Sequence, residues 1–229
     1  SQMNDLALAR TLSEEAQTLC RTYGDQRGAA VALHNLSYIA FQQGRFVEAS
    51  ALLREGITHR LEAGDRRGYA YELGSLAWAE SQQGFYEQAM RRLEEARSIL
   101  TALHDRQLIA WTLSVKGWVL YDQGDLEQAE AIMAECVTRW REVGNTRGLL
   151  FVLTGYGHVQ RDLGSPDQAE ALFEEAQKLG TEIHVPWEVA RARCGLGLLA
   201  CDRGASDRAM ALYRESLQIR LSIGDQAGL

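Results

Sequence analysis

Self-similarity at a fixed period settles the fold class before any single element is read, and this chain repeats every forty residues. The loop Gly24-Asp25-Gln26-Arg27-Gly28 returns as Gly64-Asp65-Arg66-Arg67-Gly68, weakens to His104-Asp105-Arg106, returns as Gly144-Asn145-Thr146-Arg147-Gly148 and closes as Gly224-Asp225-Gln226-Ala227-Gly228. In the same phase Gly44, Gly84, Gly124, Gly164 and Gly204 are each followed five residues later by Ala49, Ala89, Ala129, Ala169 and Ala209. Any fold for this sequence has to be built from five copies of one unit.

Each unit holds two stretches of about 17 residues, rich in Ala, Leu, Glu, Gln and Arg, with apolar residues three and four apart, which is helix period and helix composition. The spacing predicts a first helix, A, over 26–43, 66–83, 106–123, 146–163 and 186–203. A second helix, B, is predicted over 46–62, 86–102, 126–142, 166–182 and 206–222, and an unpaired B helix over 5–22 leads the chain. Asp25, Asp65, Asp105 and Asn145 stand where an N-cap oxygen would accept from the free amides of helix A. Gly24, Gly64, Gly144 and Gly224 follow helix B where a left-handed residue is least costly as glycine, and His104 and His184 make two of those turns less ideal. Pro166 and Pro186 fit first-turn positions.

Composition narrows the class further. At 46% hydrophobic and 24% charged the chain can bury a core, and its net charge of −7 argues against a phosphate-binding, nucleic-acid surface. No apolar run reaches the roughly 18 residues of a membrane span, so the expectation is a soluble, cytoplasmic protein without membrane contact. Cys20, Cys136, Cys194 and Cys201 show no CxxC spacing and are expected as reduced thiols. Residues 1–3 are read as a leftover of expression, and 224–229 as the start of a further, truncated repeat.

A small residue (Ser37, Ala77, Gly117, Gly157, Gly197), the glycine seven later, the alanine five after that and a second small residue (Gly56, Ala96, Cys136, Ala176, Ser216) form a spaced set. A large residue precedes the last of these: Leu53, Leu93, Met133, Phe173 and Tyr213. This pattern resembles the tetratricopeptide repeat, in a forty-residue form with longer helices. With the Gly-Asp-x-x-Gly loop it is similar to the sensor repeats of bacterial signal-transduction ATPases with numerous domains and related transcriptional activators, and to animal spindle-orientation adaptors that bind short peptides. The resemblance implies an all-α, right-handed superhelical α-solenoid of eleven helices: repeats at 24–63, 64–103, 104–143, 144–183 and 184–223, A helices on the concave side and B helices on the convex side.

The A helices carry two apolar stripes. Leu33, Leu73, Leu113 and Leu153 belong to the one that packs on helix B. The other places Val31, Tyr71, Trp111, Phe151 and Arg191 at one register, Tyr38, Trp78, Trp118, His158 and Leu198 seven residues on, and Phe41, Tyr121 and Arg161 a turn further. Between these rows Gly74, Ser75, Ser114, Thr154, Gly155, Cys194 and Gly195 are expected to leave hollows. The predicted ligand groove is Tyr38, Phe41, Tyr71, Trp78, Trp111, Trp118, Tyr121, Phe151, His158, Arg161 and Arg191, since exposed Trp and Tyr are typical binding anchors. The competing reading is that the rings pack between helices. Asp122, Asp162 and Asp202, with Arg161, Arg191 and Arg193, add a charged rim.

Catalytic chemistry is not visible. There is no phosphate-loop sequence, and Gly195-x-Gly197-x-x-Ala200 lies in helical repeat register with no strand before it. The five histidines form no HxxxH or HExxH pair, and paired glutamates such as Glu94-Glu95 recur at the repeat period as a solvated face. The expected function is non-catalytic recognition, with no cofactor or metal: the sensor or interaction region of a larger bacterial regulator, taking a protein, a peptide or a small inducer. The alternatives are a free-standing adaptor, or an architectural array that self-associates through apolar ends, including Leu212, Leu217 and Leu221.

Overall fold

In a computed structural model, residues 2–223 are described, with side chains from residue 7 onward. The described residues form eleven helices and no strand: α1 (Gln2–Tyr23), α2 (Gln26–Gln42), α3 (Phe46–Glu62), α4 (Arg66–Ser81), α5 (Tyr86–Ala102), α6 (Arg106–Asp122), α7 (Leu126–Val143), α8 (Thr146–Asp162), α9 (Pro166–Glu182), α10 (Pro186–Asp202) and α11 (Ser206–Ile223). α1 begins three residues before its expected start; the other helices agree with the sequence period to within two residues. The closing Gly224 loop and the truncated repeat lie outside the described residues.

The capping chemistry explains why the boundaries recur. Asp25, Asp65 and Asn145 accept from the amides of Gly28, Gly68 and Gly148 at 2.9, 2.9 and 3.0 Å, and Asp105 accepts from Leu108 at 3.0 Å. Asp125 does the same for α7, through the amide of Gln128, a cap the loop pattern did not single out. His104 and His184 carry the positive φ, 54° and 55°, that glycine carries in the other B-to-A turns. For a non-glycine residue that left-handed backbone costs on the order of 1 kcal/mol. Pro166 and Pro186 open α9 and α10.

The chain divides into two compact units, Ser1–Val115 and Lys116–Leu229, the division falling within α6. In the first unit α1 packs on α2, α2 on α3, α3 on α4 and α4 on α5; in the second, α7 to α11 pack in the same sequential manner and α8 also touches α10. Leu33, Leu73, Leu113 and Leu153 are buried, as are Leu53, Leu93, Met133 and Phe173. The small-residue positions do what the spacing implied. A β-carbon on Gly117 would stand 2.8 Å from Met133 Cγ, and one on Gly197 2.7 Å from the Tyr213 ring. The B-helix side chain thus sits against bare A-helix backbone. No helix among the described residues is long and apolar enough to cross a membrane.

Candidate functional site

In the first unit the A helices α2 and α4, the start of α6 and Phe46 at the start of α3 bring six rings into one chain of contacts. His34 lies 4.9 Å from Tyr71, Tyr71 6.3 Å from Trp111, Trp111 6.1 Å from Trp78, Trp78 4.0 Å from Phe41 and Phe41 5.0 Å from Phe46, centroid to centroid. Two of the five pairs, Trp78–Trp111 and Phe41–Phe46, meet edge-on, a favourable arrangement for aromatic rings, and the other three are tilted. Tyr71, Trp78, Trp111 and Phe41 are half-buried, while Val31 and Tyr38 on the same face of α2 are 48% and 53% exposed. The rings support one another sideways and remain partly open to solvent.

The second unit is built differently. Trp118 contacts Tyr121, Phe151 and His158 at 6.0, 6.0 and 6.3 Å, and donates from Nε1 to the Phe151 carbonyl at 3.4 Å. The Arg191 guanidinium sits 4.7 Å from the centroids of both Trp118 and Trp187, a double cation–π arrangement. Beneath it Glu188 is buried, 3.5 Å from Arg191 and within 3.4 Å of the Thr154 hydroxyl; burial raises its pKa, opposed by Arg191 and Thr154. His158, packed 5.1 Å from Phe173, is pushed down to about 4 by burial and then by the Arg191 charge, so the imidazole is neutral at pH 7.

The rim charges are paired. Tyr121 donates to Asp162 at 2.8 Å, and burial, then this bond, raises the phenol pKa. Arg161 spans to Asp202 at 2.6 and 3.2 Å, and Arg193 meets Glu215 at 3.3 Å. Exposed pairs of this kind contribute well under about 1 kcal/mol each.

At its three glycines the expected row of hollows is filled. A β-carbon on Gly74 would stand 3.2 Å from Trp111 Nε1, one on Gly155 2.7 Å from the Trp118 ring, and one on Gly195 2.5 Å from Phe173 Cζ. These three glycines are seats for neighbouring rings, because a helix lacking side-chain bulk there allows an aromatic to approach its backbone closely. Phe151 is correspondingly buried, at 7% exposure, and its ring belongs to the core. Of the predicted groove residues Tyr38 is exposed; Phe41, Tyr71, Trp78, Trp111, Trp118, Tyr121, His158, Arg161 and Arg191 are half-buried.

Sequence reasoning passed over His34, Phe46, Trp187 and three buried acids. Glu72 receives His34 Nδ1 at 2.9 Å and Arg60 at 3.4 Å; Glu80 receives Arg54 at 3.1 Å and Arg92 at 2.6 Å. The available signal was departure from the repeat: Glu72 stands in register with Ala32, Thr112, Val152 and Ala192, and Glu188 with Gly28, Gly68 and Gly148. Among the described residues no group of three or more His, Cys, Asp or Glu is placed to hold a metal ion.

Small A-helix residues under large B-helix ones, capped at forty-residue intervals, define an all-α helical-repeat protein of the α-solenoid class. Tetratricopeptide repeat profiles match residues 70–142, 108–182, 148–222 and 29–60, and the chain belongs to that family. Its fold is shared with BtubC from P. vanneervenii, at 18% identity and TM-score 0.67, covering 98% of this chain and 92% of that one. It is also shared with the Rap conjugation gene regulator of plasmid pLS20, solved with a peptide, at 16% identity and TM-score 0.74 over 86% of this chain and 56% of that one. A third structure is a signal-transduction ATPase with a tetratricopeptide repeat sensor from Pyrococcus horikoshii, at 17% identity and TM-score 0.65 over 97% of this chain and 35% of that one. A search of curated proteins found no significant match.

Proposed function

We propose that this chain is a non-catalytic, cytoplasmic polypeptide-recognition module, the sensor or interaction region of a larger bacterial regulator, which takes its partner on the aromatic face of the A helices. The observation that carries the reading is the first unit's ring chain from His34 to Phe46, half-open and bordered by exposed Val31 and Tyr38. Apolar rings left partly in water on one face usually mark an interaction surface. Membership in the tetratricopeptide-repeat family supports it, as does a Rap relative of the same fold that was solved with a peptide.

The mutual packing of the rings lowers the energy they offer. If each half-buried ring gives a partner roughly 40 Å², the area term at about 25 cal/mol per Å² is ~1 kcal/mol per ring. Four rings contribute about 4 kcal/mol, so polar contacts and pre-organisation have to supply the remainder.

The test is selection of a randomised dodecapeptide display library on the full chain, followed by affinity measurement on Trp78→Ala. A loss of tenfold or more is expected; undiminished binding refutes the assignment. A second reading, self-association, rests on Leu8, Leu12 and Leu19 of α1 and Met210, Leu217 and Leu221 of α11, all exposed. Light scattering across concentration decides it: a constant mass removes that reading.

A further inference from the structure

His34 is placed unlike any other residue at its register. The equivalents one to four repeats on are Gly74, Ser114, Thr154 and Cys194, all small, whereas here an imidazole stands between Val31 and Tyr38, three residues before and four after it on one helix face. Its ring leans on Tyr71 at 4.9 Å with an interplanar angle of 37°. Nδ1 lies 2.9 Å from Oε2 of Glu72, whose side chain is completely buried; the imidazole itself is 21% exposed. Behind Glu72 the network continues: Arg60 Nη2 is 3.4 Å from Oε1, and Arg60 Nη1 reaches Asp65, the N-cap of α4, at 2.8 Å.

A carboxylate with a guanidinium on its other oxygen can only accept from the imidazole. Nδ1 therefore carries the proton, and in the neutral ring Nε2 keeps its lone pair. Nε2 has no hydrogen-bond partner among the described residues. A buried carboxylate that fixes the tautomer and angle of a half-exposed histidine is the arrangement proteins use where the outer nitrogen has a task. Hairpin packing does not require it, because the other repeats place Ala32, Thr112, Val152 and Ala192 where Glu72 stands. Burying a carboxylate is costly, and a non-ionic residue at that position would avoid the cost.

We infer that His34 is the polar anchor of the first unit's aromatic face, its Nε2 accepting a hydrogen bond from an N–H or O–H group of the bound polypeptide. The inference rests on the recognition reading above and adds the chemistry: the segment that lies on Tyr38, Tyr71 and Trp78 presents a donor, a backbone amide or a hydroxyl, at the height of His34. Glu72 is a positioning residue for this contact.

Two measurements test it. In the free chain, nitrogen-15 NMR of labelled histidine is expected to show His34 with the proton on Nδ1; a proton on Nε2 overturns the inference with no ligand needed. The second uses a dodecapeptide selected from the display library. His34→Phe, which keeps a ring and loses the acceptor, is expected to weaken binding five- to tenfold, the effect of one lost hydrogen bond. His34→Gln, which restores an acceptor, is expected to stay within threefold of the parent, and Glu72→Gln to fall between the two. Circular dichroism melts confirm that each variant is folded. If His34→Phe binds as well as the parent while Trp78→Ala loses affinity, the anchor is wrong and the recognition face stands; if neither variant matters, both readings fail.

Discussion

Phe173 offers the sharpest energetic test of how these hairpins pack. Its ring, fully buried, lies between two glycines on different helices: a β-carbon on Gly157 of α8 would stand 2.6 Å from Cε1, and one on Gly195 of α10 2.4 Å from the same atom and 2.8 Å from Cδ1. With backbone on both sides the ring cannot swing aside, so Gly195→Ala forces α10 away from α9. Overpacking of a closed core costs about 1–3 kcal/mol, while replacing a mid-helix glycine by alanine returns about 1 kcal/mol of helix propensity. The expected net effect lies between about zero and a loss of about 2 kcal/mol. Gly56→Ala in α3 is the control, because its new β-carbon would meet nothing closer than 3.8 Å. There the propensity gain acts alone, and stability rises by about 0.5–1 kcal/mol. Urea unfolding followed by circular dichroism reads both, with native-state hydrogen exchange assigning each change to its unit. Gly195→Ala stabilising the chain as much as Gly56→Ala would refute the reasoning.

Three further outcomes follow from the same geometry. Glu80→Ala, which removes the buried carboxylate while Arg54 and Arg92 keep access to solvent, is expected to destabilise by about 1 kcal/mol, whereas Glu80→Leu, matching Leu120 in the next repeat, is neutral or stabilising in the same urea assay. His158 titrates near 4 in the fold against an ordinary 6.5, so the unfolded chain binds the extra proton first. Its contribution is fully present above about pH 6.5, is lost as pH falls toward 4, and amounts to about 3 kcal/mol; His158→Phe flattens that part of the stability–pH curve. Phe173→Ala removes the ring described above and is expected to cost about 3–5 kcal/mol by the same denaturation measurement.

The period made the fold legible. Capping aspartates, turn glycines and the pairing of small with large residues are local, repeated signals, and each of them reappears in the hairpins as hydrogen bonds, positive φ or close backbone approach. The A-helix face was legible in outline only. Periodicity places Trp111 and Trp118 on the right face of α6, but it does not say whether a neighbouring Gly74 or Gly155 is an empty hollow or the seat of the ring itself, because that depends on how far adjacent A helices are separated. The buried acids were illegible for a different reason: Glu72, Glu80 and Glu188 read as ordinary helix-surface glutamates until the partners that neighbouring helices bring to them are known. In this repeat chain the buried acids sit at positions that break the pattern, where periodicity carries no signal.

The recognition claim is tested most directly by fluorine NMR of the full chain carrying 5-fluorotryptophan, titrated with a selected dodecapeptide. The five tryptophans are distributed usefully: Trp78 and Trp111 lie on the first unit's aromatic face, Trp118 and Trp187 flank Arg191, and Trp140 is buried on α7. The account predicts that the Trp78 and Trp111 resonances move in step with saturation while Trp140 stays fixed. Saturable binding that leaves Trp78 and Trp111 unmoved would contradict it.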